Sequence, residues 1–167
     1  MNNILLEIAR LHNVLLTKGD EKNAIQIKDQ FELLSSDAPV EVKTSVIETA
    51  QSYHNILLKR YELDQAKNIK KEYELFDRNI LTNSISSSVE AASEFMENSL
   101  LKGDIKKCME VIKEYNIPKD RVKEIATKII ISELKKLNFE NAFLILNKFR
   151  IDPSIEELKV EAQKQFS

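Results

Sequence analysis

Residues 15–33 read LLTKGDEKNAIQIKDQFEL, and close relatives of this stretch occur three more times in the chain. The other copies are residues 57–75, 99–117 and 133–151. Position zero of the alignment is occupied by Ala24, Ala66, Cys108 and Ala142. Each copy has Leu at −8, Ile or Val at +3, Phe or Tyr at +7, and Leu or Ile at +9. Five matched positions in one short chain indicate an internal repeat.

The composition favours an all-α protein. The 167 residues include only two Gly and three Pro, with 43% hydrophobic and 31% charged residues. So few helix-breaking residues are typical of long helices joined by short turns. The length suits one domain with a sizeable core. We therefore expect a single helical-repeat domain over residues 1–167.

The spacing of apolar residues predicts four helical hairpins and a cap helix, stacked as a short α-α superhelix. The expected repeats are about 1–38, 39–80, 81–118 and 119–151, and the cap helix is 152–167. In the first helix the expected buried stripe is Ile4, Ile8, Leu11 and Leu15. Leu81 to Ser88, LTNSISSS, reads as a loop, and Ser87 with Glu90 has the form of a capping box that starts the fifth helix.

The turn between the paired helices resembles that of tetratricopeptide repeats. Gly19-Asp20 with Ala24 fits the Gly-Asp-x-x-x-Ala string of that turn, and Gly103-Asp104 with Cys108 nearly fits it. The segment LLKGDIKKCMEVIKEYNIPKD, residues 100–120, is similar to a pentatricopeptide unit. The resemblance implies the broad tetratricopeptide-like superhelix class, whose members present an extended groove to a partner.

Hydropathy, targeting signals and cysteine content indicate the expected cellular location. No run of about 18 apolar residues exists, so we expect no transmembrane helix. The N-terminus lacks the basic start and cleavage site of a signal peptide, and the single cysteine, Cys108, fits a reducing compartment. Cys108 takes the place of alanine in the repeat, so we expect a small buried core residue. These observations favour a cytoplasmic protein without contact to a membrane.

The sequence contains no catalytic or metal motif. It lacks HExxH, GxSxG, a cysteine pair and a glycine-rich phosphate loop. Two His and one Cys are too few for a zinc site without carboxylate ligands. We therefore expect no enzymatic activity, no metal and no cofactor.

A duplicated His-Asn pair is the one suggestive constellation outside the repeat core. Residues 11–16 and 53–58, LHNVLL and YHNILL, place both histidines twelve residues before position zero. Asn side chains on a groove wall can clamp a peptide backbone with a donor and an acceptor, whereas a copied core pair would only pack between hairpins. We favour packing. The candidate groove residues are Arg10, Asn13, His54, Asn55, Glu94 and Lys128.

The leading functional hypothesis is a protein interaction module that holds a peptide or helix of another protein. Single-stranded RNA is the alternative, because residues 101–167 carry a balance of +3 against −5 for residues 1–100. The net charge of −2 and the few aromatic residues disfavour nucleic acid. A third possibility is self-association through the first helix, whose apolar residues exceed one stripe, so the sequence allows a monomer or a homodimer.

Overall fold

Every regular element of the described chain is a helix. The computed structural model describes the backbone of residues 2–76 and 82–151. These ranges contain eight helices and no strand. The helices are α1 (Asn2–Thr17), α2 (Glu21–Gln30), α3 (Val40–Lys59), α4 (Leu63–Glu72), α5 (Thr82–Leu101), α6 (Ile105–Glu114), α7 (Lys119–Lys135) and α8 (Phe139–Phe149). The prediction of an all-α fold is confirmed, and the predicted cap helix over 152–167 lies outside the described residues.

The chain divides into two compact units, Met1–Ser88 and Val89–Ser167. In the first unit α1 packs against α2 and α3, and α3 packs against α4. In the second unit α7 packs against α8. Among the described helices, none combines the length and the apolar character that a bilayer-spanning helix needs.

Two ion pairs align α5 with α7 inside the second unit. Arg121 contacts Glu90 at 3.2 Å, and Lys128 contacts Glu97 at 3.1 Å. Both pairs join residues 31 positions apart, and the second pair lies seven residues, or two helical turns, beyond the first. The two helices therefore run side by side in the same direction.

The turn inside each hairpin has the same backbone geometry in all four copies. The residue at position −5 takes a left-handed conformation, with φ between 61° and 87°. These residues are Gly19, Tyr61, Gly103 and Leu137. In each copy the next amide donates back to a carbonyl five residues earlier, at 2.8 to 2.9 Å, which satisfies the free carbonyls at the helix end. The turn without glycine at Tyr61 thus forms like the others, although a side chain at positive φ is unfavourable.

The second helix of each hairpin ends on a second left-handed residue, at position +8. These residues are Glu32, Glu74, Asn116 and Arg150, with φ of 48° to 50°. The residue that follows, at +9, turns into the core, and its amide donates to a carbonyl five residues earlier. This ending limits α2 to Glu21–Gln30.

The copied apolar positions form the core. All four residues at position zero are fully buried, including Cys108 as expected. The leucines at −8 are fully buried in the first three copies, and Leu134 is half-buried. The +9 residues are buried in every copy. The repeated letters are therefore explained by turn geometry and packing.

The buried stripe of α1 is shifted by one residue from the predicted one. Ile4 and Leu11 are 64% and 52% exposed, whereas Ala9, His12 and Leu16 are buried. The spacing of the stripe has the expected helical form, but its centre is a histidine, which a hydrophobic pattern counts as a surface residue. The prediction that Ile4 and Leu11 are buried is wrong for that reason.

The predicted loop at Leu81 to Ser88 is helical from Thr82 onward. α5 begins there and reaches 20 residues, the same length as α3. Ser88 is fully buried, and its Oγ donates to Oδ1 of Asn55 at 3.1 Å. The small hydroxyl side chain of Ser88 allows this close contact inside the helix.

Candidate functional site

The first His-Asn pair joins three helices of the first unit. The Nδ1–H of His12 donates to Oδ1 of Asn13 at 2.8 Å, and its Nε2 accepts from the hydroxyl of Tyr73 at 2.7 Å. Nδ2 of Asn13 donates to Oγ of Ser45 at 2.9 Å. His12 is fully buried, and the ammonium of Lys28 lies 5.3 Å from the centre of the Tyr73 ring. The pair therefore ties α1 to α3 and to the end of α4.

The second His-Asn pair repeats this arrangement one hairpin later. The Nδ1–H of His54 donates to Oδ1 of Asn55 at 2.9 Å, and the same oxygen accepts from Ser88 at 3.1 Å. His54 is fully buried, and its ring makes a T-shaped contact with the ring of Phe76. Lys70 lies 4.9 Å from the Phe76 ring centre. The geometry gives the duplicated pair a role between helices.

Burial governs the electrostatics of both histidines. Desolvation is the largest cause that lowers the pKa of His12, and it lowers the pKa of His54 to about 4. The neighbouring Asn side chains oppose this shift, while Lys28 and Lys70 add to it. Both rings are therefore neutral near pH 7 and are enclosed away from any substrate.

The remaining shifted groups also lie in the core. Burial raises the pKa of Cys108 to about 12 and raises the pKa values of Tyr53, Tyr73 and Tyr115. The hydroxyl of Tyr53 donates to Glu21 at 2.7 Å, which raises its pKa further. In the described part of the chain, no three His, Cys, Asp or Glu side chains come together as metal ligands. Each shift thus has a packing origin.

A buried carboxylate in the second unit also has structural partners. Oε2 of Glu133 accepts from Nδ2 of Asn138 at 2.5 Å and from Nδ2 of Asn141 at 3.0 Å. Asn141 also donates to the carbonyl of Leu100 at 3.0 Å, which satisfies an end of α5. Because Asn138 caps α8, this carboxylate holds the start of α8 against the end of α7.

The six sequence-derived candidates are divided between the two units, with Glu94 and Lys128 in the second unit and the other four in the first. His54 is buried, and Asn13 and Asn55 are half-buried within the contacts above. Arg10 is exposed on α1, where it pairs with Glu7. Glu94 and Lys128 are exposed on α5 and α7. None of the six lines either of the two grooves described below.

The second unit carries an open apolar groove of about 410 Å³. Its floor comes from α6, from the short α6–α7 connection, from the start of α7 and from the end of α8. The apolar lining residues are Met109, Ile112, Ile117, Val122, Phe149 and Ile151. Met109 is 39% exposed, so apolar surface is accessible from solvent. A volume of this size falls within the range of ligand and peptide sites.

The rim of this groove is cationic. The three other lining residues are Lys119, Lys123 and Arg150, and none of the nine lining residues is acidic. All three cations are exposed, and none forms an ion pair with a residue in the described part of the chain. The groove therefore offers apolar contact flanked by unneutralised positive charge.

The first unit has a smaller and more polar groove of about 280 Å³. It lies between the end of α1 and the second half of α3. Its lining residues are Thr17, Glu48, Thr49, Ser52, Tyr53, Ile56 and Arg60. Because Glu48 and Arg60 carry opposite charges, this groove has no single electrostatic preference.

Sequence reasoning missed the groove of the second unit because it searched the first helices of the hairpins. A signal was present in the repeat alignment: position −19 is Ile47 in the second copy and Lys123 in the fourth. Ile47 is buried and Lys123 is exposed. A lysine at a repeat position that is otherwise apolar indicates that this position is at least half-buried in the other copies but stays exposed in the fourth copy.

Comparisons with protein-family models, curated proteins and solved structures find no match to this chain.

Proposed function

We propose that the protein is a non-catalytic interaction module, a short tetratricopeptide-like superhelix that presents a groove to a peptide or helix of another protein. Two observations support the architecture. The left-handed residues at −5 and +8 recur in all four copies, and the zero position is buried in each. Hairpins of equal geometry stack into arrays with extended binding surfaces.

The groove lined by α6, α7 and α8 carries the functional proposal. It combines an exposed Met109 and a half-buried Phe149 with three cations that form no ion pair within the described part of the chain. Apolar surface in a concave site gains free energy when a partner covers it, and methionine adapts to varied side chains. The sequence had placed the binding residues on the first helices of the hairpins. The groove instead lies mainly between second helices, with the first turn of α7 at its edge.

The absence of catalysis is also part of the proposal. In the described part of the chain, the titratable groups with shifted pKa values are buried, and those of His12, Tyr53 and Tyr73 form hydrogen bonds between helical segments. A nucleophile or a general base needs access to substrate, and buried Cys108 with its raised pKa offers none. The same burial suits a reducing compartment such as the cytoplasm.

The test is affinity capture with the full chain at native concentration in extract from its host. We expect one or a few polypeptides to bind stoichiometrically and to be lost when Met109 is changed to Ser. The matched control is Gln65→Ser at an exposed position of α4, which should retain them. Capture of no protein in repeated experiments at low salt would contradict an interaction module.

Single-stranded RNA is a second candidate, which the cationic rim at Lys119, Lys123 and Arg150 favours. Phosphate contacts release counterions, so affinity for RNA would fall steeply with salt. Titration of a labelled RNA at two salt concentrations distinguishes this candidate. RNA binding without protein capture would replace the leading proposal.

Self-association is a third candidate because of the outer face of α1. Ile4, Leu11 and Val14 are exposed at spacings of seven and three residues, which places them on one helical stripe. Light scattering should then show a dimer that dissociates in the variant Leu11→Glu. A monomer at high concentration would remove this candidate.

A further inference from the structure

We infer that the groove lined by α6, α7 and α8 accepts an acidic amphipathic helix, whose apolar side chains enter the groove while its Asp or Glu side chains meet the rim. This assignment rests on the proposed interaction function and names the chemistry of the partner. It follows from the lining residues, from the exposed cations of the rim, and from a comparison of the repeat positions in the two units.

The equivalent positions of the first unit are closed. At position +7 the second copy has Tyr73, which is fully buried and bonded to His12, whereas the fourth copy has Phe149, which is half-buried. Phe149 lacks the hydroxyl for such a bond, and the repeat position of His12 is Met96 in the third copy. The hydrogen bond from position +7 to the neighbouring first helix, which closes this surface in the first unit, therefore cannot form in the second unit.

Two further substitutions change the chemistry of this surface. At position +4 the first copy has Lys28, which stacks on Tyr73, while the third copy has Ile112 in the groove. At position −19 the buried Ile47 is replaced by the exposed Lys123. In the first unit the lysine of this surface is buried, whereas in the second unit the lysine lies exposed on the rim and apolar side chains line the floor. This is the distribution that an acidic amphipathic ligand complements.

The openness of the groove favours a peptide over a small lipid. Met109, Lys119, Lys123 and Arg150 are all exposed, so the ligand keeps one side in water. A helix with apolar residues at i, i+3, i+4 and i+7 and acids beside them meets both requirements. Such a helix also matches the charge of the rim, where opposite charges increase both association rate and specificity.

The experiment is fluorescence anisotropy with the full chain and a designed fluorescein-labelled peptide of about 14 residues, with Leu anchors at helical spacing and Glu on both flanks. The charge variant is Lys119→Glu/Lys123→Glu. Its matched control is Lys18→Glu/Lys22→Glu, which reverses two exposed lysines of the first unit. We expect the charge variant to weaken binding about tenfold or more and the control to change it less than about twofold.

Other arms separate the alternatives. A peptide with Lys in place of Glu should not bind detectably, and Met109→Ser should weaken the acidic peptide. Equal binding of both peptides, or equal loss in charge variant and control, would overturn the assignment. An RNA oligonucleotide that displaces the peptide and shares its sensitivity to Lys119→Glu/Lys123→Glu would overturn it in favour of nucleic acid.

The chain itself supplies one competing occupant. Residues 152–167 contain Ile155 and Leu158 among acidic residues, directly after Ile151. If this segment filled the groove, the variant Ile155→Ser/Leu158→Ser would bind the peptide at least tenfold more tightly, and the partner assignment would fall. We expect unchanged affinity. Protein capture that survives Lys119→Glu/Lys123→Glu would leave the interaction function standing and refute only this groove.

Discussion

Lowering the pH from 7 to 5 is expected to destabilise the protein through its two buried histidines. Burial is the main cause that lowers both pKa values in the folded state, that of His54 to about 4. A lowered pKa means that the fold prefers the neutral ring. The stabilisation is therefore fully present above the unfolded pKa, near 6.5, and is lost as the pH falls toward the folded value.

The size of the effect follows from the shift of His54. With pKa values of 6.5 unfolded and about 4 folded, the linkage relation gives a loss of about 2 kcal/mol between pH 7 and pH 5. His12 acts in the same direction. The measurement is urea unfolding followed by circular dichroism at pH 7, 6 and 5, a window in which free Asp and Glu side chains stay ionised.

The variant His54→Gln separates ring protonation from other acid effects. Its stability at pH 7 should be lower, because Asn55 loses a donor. Its free energy of unfolding should fall less between pH 7 and pH 5 than that of the unaltered chain, because the contribution of His54 is missing. An unfolding free energy that stays flat from pH 7 to 5, or an equal slope in the variant, would refute the account of neutral buried histidines.

Three further expectations concern stability. Gly103→Ala should cost about 1 kcal/mol, because the added Cβ is strained at positive φ; Leu137→Ala, at the same repeat position, should change stability by about 0.5 kcal/mol or less. Glu133→Ala should cost about 2 kcal/mol through buried amides that lose their acceptor. Leu58→Ala, at a fully buried site, should cost about 3 kcal/mol, against about 1 kcal/mol for Leu134→Ala at the half-buried equivalent.

Chemical denaturation of each variant at pH 7 supplies these values, with the unaltered chain as reference. Equal costs for Gly103→Ala and Leu137→Ala would contradict a conformational role for the glycine. A neutral Glu133→Ala would show that its hydrogen bonds contribute no net stability. Equal losses of unfolding free energy for Leu58→Ala and Leu134→Ala would contradict the expectation that the loss depends on burial at this repeat position.

The helical class and the positions of the turns were largely predictable, because each copy of the repeat carries the same turn and core residues. Gly19 and Gly103 mark the turn directly, and the copied apolar positions then locate the same turn at Tyr61 and Leu137 without glycine. The hydrogen bonds that close these turns over five residues join backbone groups, so Gly, Tyr and Leu all occupy the left-handed position.

The wrong predictions for α1 and for the start of α5 arose where polar residues are buried in the core. His12 is buried because Tyr73 and Asn13 satisfy its nitrogens, and no hydrophobic pattern reports such partners. Ser88 likewise looked like a loop residue, yet it lies under Asn55 inside a helix. These contacts link residues 33 and 61 positions apart, which a local reading of the sequence does not reach.

The groove of the second unit could not be predicted from the sequence for a different reason. Its residues come from three helices, and each has an ordinary identity in its own sequence context. Only the comparison of repeat positions, such as Ile47 with Lys123, shows that one copy leaves open a surface that another closes. Under the proposed function, divergence between copies, and not the copied residues, indicates where a partner would bind.

Site-specific photocrosslinking tests this central claim most directly. A benzoylphenylalanine placed at Met109 reports on the groove, and one at exposed Asn68 on α4 is the control. In host extract we expect a discrete cross-link to another polypeptide from position 109 alone, lost when Lys119→Glu/Lys123→Glu is added. Equal cross-links from both positions, or cross-links from 109 only within the chain itself, would contradict a partner-binding groove.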